Sequence, residues 1–207
     1  MSEPTTFADH VVTVVPGIVH WTVQDDRIGF RSDAYGVETP DGKVLIDPLP
    51  LSSEAVDSLG KVAAICLTEG QHQRSAWRLR KRLDVPVYAP EGAHELDETP
   101  DRWYTDGQEL PGGLRAVDTP GFGTVHCALV LERDRGGPVL FSGDLVVREG
   151  EGPFGLIPDK YVDDPPGIRA SVARLLDLAP ETLCPAHGAP AAAAGGERLQ
   201  EALLHEA

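Results

Sequence analysis

The stretch ICLTEGQHQR, residues 65–74, narrows the choice of fold more than any other part of the chain. Its first four residues are apolar or β-branched and predict a buried strand, and the next six are polar. A helical pattern then runs from Gln73 to Leu83. Polar side chains that directly follow a buried strand lie at the edge of a sheet, where open α/β sheets collect their functional residues. The stretch therefore predicts a site at a sheet edge.

Four other segments also place a polar residue beside an apolar, strand-like run. They are LIDP (45–48), TPGFGTVH (119–126), LFSGD (140–144) and LCPAHG (183–188). In this order and strand context the five segments resemble the metallo-β-lactamase superfamily, and the resemblance covers about Val11 to Pro190. It also matches Asp47 to the aspartate that this family carries at the end of an early strand.

The resemblance implies an α/β fold, a four-layer αββα sandwich, formed as a single domain over residues 1–207. It also implies one or two zinc ions between the loops at one sheet edge. There a metal-bound hydroxide attacks an ester, thioester, amide or phosphoester.

The zinc motif of the family, HxHxDH, should follow Leu67-Thr68. Its four ligand positions hold Glu69, Gln71, Gln73 and Arg74, and the histidine of the family's TPGH segment is replaced by Phe122. Asp144 and His187 match the bridging aspartate and the late histidine. His126 matches a histidine that is often present in the family but is not usually a ligand.

The number of remaining ligands decides between two interpretations. A zinc site normally needs three or four protein ligands, and only two of the family's set remain. Arg74 adds a permanent cation where a second zinc ion belongs. We therefore expect no cofactor and predict a degenerate member, a pseudoenzyme or small-molecule-binding protein, in which Arg74 pairs with Asp144 and Glu69.

In the second interpretation His72 turns inward and joins Asp144 and His187 in a site for one zinc, iron or manganese ion. The protein would then hydrolyse a small ester or thioester. Simpler interpretations also exist for these residues. His72 would be a half-exposed residue at the start of a helix, and Asp144 would cap the end of a strand.

A loop over residues 153–164 (PFGLIPDKYVDD) follows Asp144 and has two interpretations. It is either a lid that brings Lys160 to an anionic or aromatic ligand, or a loop that packs its apolar residues on its own sheet or on a second subunit. The basic run at residues 78–82 either guides an anion or is the solvated face of a helix. The predicted pocket residues are Glu69, Gln71, His72, Gln73, Arg74, Phe122, His126 and Lys160.

Composition limits the partners that the chain can bind. The 207 residues include 18 basic and 33 acidic side chains, which gives a formal net charge of −15. A field of that sign repels nucleic acid and anionic membranes, so we expect neither as a partner. The N-terminus has no signal-peptide pattern and the three cysteines are far apart, which favours buried thiols in a cytoplasmic protein. A homodimer, and an interaction protein that uses its acidic surface, are both compatible with the sequence.

Overall fold

The computed structural model describes residues 3–25, 28–94 and 96–205. The chain forms two compact units, residues 1–104 and 105–207, and each unit carries one β-sheet with its own helices. That the whole chain is a single domain stays a prediction. No helix among the described residues is long and apolar enough to cross a membrane.

The first unit contains seven strands and two α-helices within its described part. The strands are β1 (Val12–Val15), β2 (Ile18–Asp25), β3 (Phe30–Val37), β4 (Lys43–Ile46), β5 (Val62–Cys66), β6 (Val87–Pro90) and β7 (Arg102–Tyr104), and the helices are α1 (Ser53–Ser58) and α2 (Ala76–Leu83). The strands lie in sequence order, antiparallel from β1 to β4 and parallel from β4 to β7. Trp21, Leu45, Ile65 and Trp77 belong to one apolar core, so one face of this sheet is buried with its helices.

The second unit is described by six strands and two helices. These are β8 (Glu109–Leu110), β9 (Leu114–Asp118), β10 (Cys127–Leu131), β11 (Val139–Arg148), β12 (Phe154–Leu156), β13 (Thr182–His187), α3 (Pro165–Leu176) and α4 (Gly195–Leu204). β11 pairs with β10 and β12 in antiparallel fashion and with β13 in parallel. It is the longest strand of this sheet, and a core that includes Leu140, Val172 and Leu199 covers the sheet.

Most helix and strand predictions are confirmed, and the differences have local causes. The first helix begins after Ser52, whose side chain accepts a hydrogen bond from the backbone N–H of Ala55, as an N-cap does. The second predicted helix begins only at Ala76, because Arg74 has φ 34° and ψ −113°, which no helix accommodates. The alanine-rich sequence of residues 191–207 predicts a helix, which begins only at Gly195 because Ala191 pairs with Leu183 in a β-bridge. Glu206 and Ala207 lie outside the described residues.

Two strands are longer than predicted, which corrects the position of two site residues. β11 continues past Ser142 to Arg148, so Asp144 lies inside a strand and does not cap its end. The strand accommodates this through Gly143, which has φ 55° and marks a shift of register against β13. β13 in turn includes His187 as its last residue. Residues 91–113 are polar and rich in turn residues, which predicts a loop, but this stretch contains β7 and β8.

An N-terminal strap, residues 3–8, ties the start of the chain to α2. Glu3 accepts hydrogen bonds through Oε1 from Ser75 Oγ (2.6 Å) and from Arg78 Nε (2.9 Å). The ring of Phe7 lies 5.1 Å from the guanidinium carbon of Arg78. The backbone N–H of Ala8 donates to the carbonyl of Pro50, which fixes the other end of the strap.

The three cysteines, Cys66, Cys127 and Cys184, are buried and form no disulfide. Burial, with a smaller contribution from the charge of Asp47, raises the pKa of the Cys66 thiol far above its usual value. A thiol in that condition is protonated at neutral pH and is a poor nucleophile. The prediction of buried thiols is therefore confirmed.

Candidate functional site

Asp47 organises the polar side chains at one edge of the first sheet. It directly follows β4 with φ 46°, and its carboxylate accepts hydrogen bonds from the backbone N–H of Thr68 (2.8 Å) and from the Thr68 hydroxyl (2.6 Å). His72 Nδ1 lies 3.0 Å from Asp47 Oδ2 and 3.1 Å from Thr68 Oγ1. His72 is only 4% exposed, so the simpler interpretation of a half-exposed histidine is wrong. The buried carboxylate of Asp47 gives the imidazole a partner that the sequence did not reveal.

Asp47 is an ionised carboxylate in the folded chain. Burial by itself would raise the pKa of Asp47, but the charges of His72 and Arg74 and the hydrogen bonds from His72 and Thr68 together hold it below its usual value. His72, Arg74 and Thr68, all of the first unit, therefore stabilise the negative charge.

Glu69 occupies the other side of the same imidazole. Its Oε1 lies 3.2 Å from His72 Nε2, and the side chains of both residues are buried. Both ring nitrogens of His72 thus lie next to a carboxylate, Nδ1 next to Asp47 and Nε2 next to Glu69. The imidazole is oriented by contacts within its own unit.

Arg74 is buried and has a strained backbone. Its φ of 34° is rare for a residue with a side chain, and its exposure is 7%. Nη1 donates to the backbone carbonyls of Asp33 (3.0 Å) and Asp47 (3.2 Å), which belong to neighbouring strands or their ends. These contacts hold the guanidinium at the edge of the sheet beside Asp47. Its predicted pairing with Asp144 and Glu69 stays a prediction.

The two glutamines of the motif differ in environment. Gln73 is buried, and its Oε1 accepts hydrogen bonds from Trp77 Nε1 (2.5 Å) and from the backbone N–H of Asp97 (2.7 Å). Gln71 is exposed. The amide oxygen of Gln73 therefore connects α2 to a neighbouring loop, which is a structural use of a position predicted to lie in a pocket.

A second polar group lies on β2 and β3 and was not predicted as a unit. From the sequence, His20 beside Trp21 is expected to make a hydrogen bond rather than to bind a ligand, and its Nε2 lies 2.6 Å from Asp33 Oδ1. Arg31 donates from Nη2 to the same oxygen at 2.7 Å. Arg31, Asp33 and Tyr35 alternate on one face of β3, and this period of two is the signal that could have found the group. The sequence interpretation treated His20 alone and left out Asp33.

The second unit places Asp144, His187 and His126 together around β11. His187 Nε2 lies 3.4 Å from Asp144 Oδ1. His126 Nε2 accepts a hydrogen bond from the backbone N–H of Asp144 (3.2 Å), and its Nδ1 lies 2.7 Å from Thr119 Oγ1. Because Nε2 accepts, Nδ1 carries the proton and the ring is neutral. His126 thus contacts the backbone of Asp144. That it is not a metal ligand stays a prediction.

Comparison with known proteins identifies the family. Residues 13–204 match the sequence profile of the Metallo-beta-lactamase superfamily. The chain belongs to this superfamily. A comparison with functionally curated proteins gives no significant sequence match.

Solved metallo-β-lactamase structures have the same fold at low sequence identity. The metallo-beta-lactamase from Pontibacter korlensis is 18% identical with a TM-score of 0.72, over 95% of this chain and 99% of that one. The mono-zinc form of FIM-1 from Pseudomonas aeruginosa is 16% identical with a TM-score of 0.72, over 97% and 95%. The archaeal superfamily protein ST1585 from Sulfolobus tokodaii is 18% identical with a TM-score of 0.63, over 82% and 78%. The predicted fold class, α/β of the metallo-β-lactamase type, is confirmed.

Phe122 replaces the histidine of the metallo-β-lactamase TPGH segment, and its side chain lies in an apolar environment. Phe122 is 7% exposed and belongs to the core of the second unit with Leu145 and Ile168. Its ring meets that of His126 edge-on, with 6.1 Å between centroids. Phe122 is thus part of the packing next to Asp144.

For the loop at residues 153–164 and the basic run at residues 78–82, the structure favours the simpler of the two interpretations. Phe154, Leu156 and Ile157 are buried in the core of the second unit, which favours a loop packed on its own sheet. Lys160 is exposed, with Nζ 4.7 Å from the centroid of the Tyr161 ring. The basic run of α2 forms ion pairs with acidic residues of its own unit, which favours a solvated helix face; the pairs are Arg78–Glu3, Arg80–Asp101, Lys81–Glu98 and Arg82–Asp57.

Proposed function

We propose that this metallo-β-lactamase-fold protein has lost the dinuclear zinc centre and acts as a pseudoenzyme that binds a small molecule. The observation that carries the proposal is the buried guanidinium of Arg74, hydrogen-bonded to the carbonyls of Asp33 and Asp47. Arginine keeps its charge at any physiological pH and cannot ligate a metal. A zinc ion at its position in the motif would have to displace this cation.

Two other motif positions support the same proposal. The amide oxygen of Gln73 already accepts two hydrogen bonds, from Trp77 and Asp97. Phe122 is part of an apolar core and has no ligand atom. Metal binding by Gln73 would require it to give up an internal hydrogen bond, and the phenyl ring of Phe122 cannot ligate a metal. The residues present do not fit a dinuclear centre.

The electrostatics of the first unit also favour a site without metal. A cluster of buried carboxylates normally needs a metal ion or a paired cation to remain charged. Here His72 and Arg74 contribute to the low pKa of Asp47. Glu69 lies beside the same imidazole, at 3.2 Å. At this edge of the first sheet, positively charged side chains balance the carboxylates in place of a metal ion.

Metal analysis tests the proposal. Protein purified from cultures supplied with zinc, iron and manganese should contain far less than one equivalent of any of them. The contrary outcome is stoichiometric metal that disappears in an Asp144→Ala/His187→Ala double variant. An Asp163→Ala/His205→Ala double variant is the matched control, because it removes the same two residue types from exposed positions.

The second candidate is a hydrolase of a small ester or thioester with one zinc, iron or manganese ion. It is favoured by the donor types of His72, Asp144 and His187, two imidazoles and a carboxylate. In the second unit His187 Nε2 and Asp144 Oδ1 are 3.4 Å apart. A bound metal ion would supply Lewis-acid chemistry to such a site. His72 could serve as a ligand through Nε2 only by leaving Glu69, while Asp47 continues to orient the ring through Nδ1.

Hydrolysis assays separate the two candidates. The hydrolase should cleave p-nitrophenyl acetate or an acyl thioester, lose that activity on treatment with a chelator and regain it with one metal. The metal-free proposal predicts no chelator-sensitive hydrolysis above the rate of the Asp144→Ala/His187→Ala double variant.

A further inference from the structure

A cleft in the second unit brings together both signs of charge. It has a volume of about 520 Å³ and lies between the end of β11, the following turn and the start of α4. Arg148, Glu151, Arg198 and Glu201 line it, with Phe154 and several small residues as apolar wall. The volume is within the range of small-molecule sites. None of these residues belongs to the zinc motif or to the proposed function.

Arg148 is held in place before any ligand binds. Its Nε donates to the carbonyl of Gly152 (2.8 Å) and its Nη2 to the carbonyl of Glu151 (3.3 Å). Its guanidinium carbon lies 5.1 Å from the centroid of the Phe154 ring. In the part of the chain that the structure describes, its other N–H groups make no hydrogen bond. A fixed cation with remaining donors loses little conformational freedom when it binds a carboxylate.

The two ion pairs that line the cleft are local, each between residues three apart in sequence, and partly exposed to solvent. Arg198 Nη1 lies 3.3 Å from Glu201 Oε2, and Arg148 Nη2 lies 3.7 Å from Glu151 Oε2, whose side chain is 94% exposed. Exposed pairs of this kind contribute little to stability, so a ligand can replace them at low cost. The pairs also keep the charge of the cleft balanced.

The charge balance selects the class of ligand. A simple anion would meet Glu151 and Glu201 as well as the arginines, and it would approach a chain with a net charge of −15. A simple cation would meet two arginines. A zwitterion satisfies both signs at once, because its carboxylate pairs with guanidinium while its ammonium pairs with a glutamate.

We infer that this cleft binds a free amino acid with an apolar side chain. Arg148 and Arg198 bind the α-carboxylate, Glu201 binds the α-ammonium group, and the side chain lies on the apolar wall beside residues 191–193. The inference is independent of the proposed function, because it uses different residues and requires no metal.

Titration calorimetry with L-leucine as the probe tests the charge requirement. Leucine should bind with a stoichiometry of one, while N-acetyl-leucine, which lacks the ammonium group, and leucinamide, which lacks the carboxylate, should bind at least about tenfold more weakly. Equal binding of N-acetyl-leucine would identify an anion site and overturn the inference. Absence of saturable binding of leucine and of phenylalanine at millimolar concentrations would also overturn it.

Two matched variants test the location. Arg198→Gln should weaken leucine binding by about tenfold or more, since it removes one charge-assisted partner of the carboxylate. Arg135→Gln removes the same charge from an exposed position of the same unit and should leave binding unchanged. Equal affinities of the two variants would place the leucine elsewhere on the protein. The metal content of the wild type is measured separately, so the failure of either proposal is recognised by itself.

Discussion

The two units differ in how they treat the positions of the zinc motif. In the first unit the replaced positions lie in a dense polar network, in which Asp47, His72, Glu69 and Arg74 contact one another or neighbouring backbone. In the second unit Asp144 and His187 remain, at a separation of 3.4 Å and with part of His187 exposed to solvent. In the first unit these side chains are buried in a network of internal contacts, whereas in the second unit His187 is partly exposed.

The largest expected effect concerns Phe122, which lies in the apolar core of the second unit. Phe122→Ala should lower the free energy of unfolding by about 3 kcal/mol, because it leaves a cavity in the core. Urea unfolding measures the change, with Phe122→Leu as a control that should cost less than half as much. A cost below about 1 kcal/mol would mean that the ring is not part of the packing.

Asp47 should come next, because its carboxylate holds several groups of the first unit. Asp47→Asn keeps the shape of the side chain but removes the charge that faces His72 and Arg74, at a cost of about 3 kcal/mol in the free energy of unfolding. A cost below about 1 kcal/mol would mean that the charge of Asp47 does not stabilise the first unit.

Arg74 gives a smaller effect that tests the role of its guanidinium. Arg74→Met retains most of the volume but leaves the carbonyls of Asp33 and Asp47 without this donor, and should cost about 2 kcal/mol in the free energy of unfolding. Thermal unfolding followed by circular dichroism measures the change. Arg135→Met, at an exposed position, should change stability by less than about 0.5 kcal/mol. Equal stabilities of the two variants would show that the buried cation does not stabilise the first unit.

The smallest effect concerns a partly exposed pair in the first unit. Burial would raise the pKa of Asp101, but the hydrogen bond from the Val87 N–H and the contact with Arg80 lower it below 3.8. A group with a lowered folded pKa adds stability above its unfolded pKa and loses it as the pH falls through the folded value. The difference in Tm between wild type and Asp101→Asn should therefore be constant above about pH 5 and shrink below about pH 4. A difference that grows on acidification would contradict the shift.

The sequence was sufficient to predict the fold class. Five short segments, each an apolar run beside a polar residue, resemble the family through their order along the chain, even though several ligand positions hold other residue types. The burial of His72 was missed, since its partner Asp47 lies 25 residues away and no local pattern joins the two. The sequence did not reveal that Asp144 lies inside a strand, because a glycine at position 143 is typical of a strand end. In the structure Gly143 allows β11 to shift its register and continue.

The polar group on β3 could have been predicted in part. The alternation of Arg31, Asp33 and Tyr35 is visible in the sequence, but it gives no distance to His20 on the neighbouring strand. In the register of β2 against β3, His20 lies opposite Tyr35. This register brings the side chain of His20 to that of Asp33, two residues before Tyr35. Pairing between strands is set by packing along their whole length, so single residues do not reveal it.

The N-terminal strap has a consequence for the order in which the first unit opens. Glu3 meets Ser75 and Arg78 across more than 70 residues of chain, so forming these contacts carries the entropy cost of closing a long loop, although Ala8 at the end of the strap packs on the core of the first unit. Segments of this kind open at lower free energy than the sheet beneath them. Amide hydrogen exchange should therefore be faster at Ala8 and Ser52, whose N–H groups bond across the strap, than at the core strand β5. Ser75 lies next to Arg74, so the strained backbone at the zinc motif borders the part of the first unit that exchanges first.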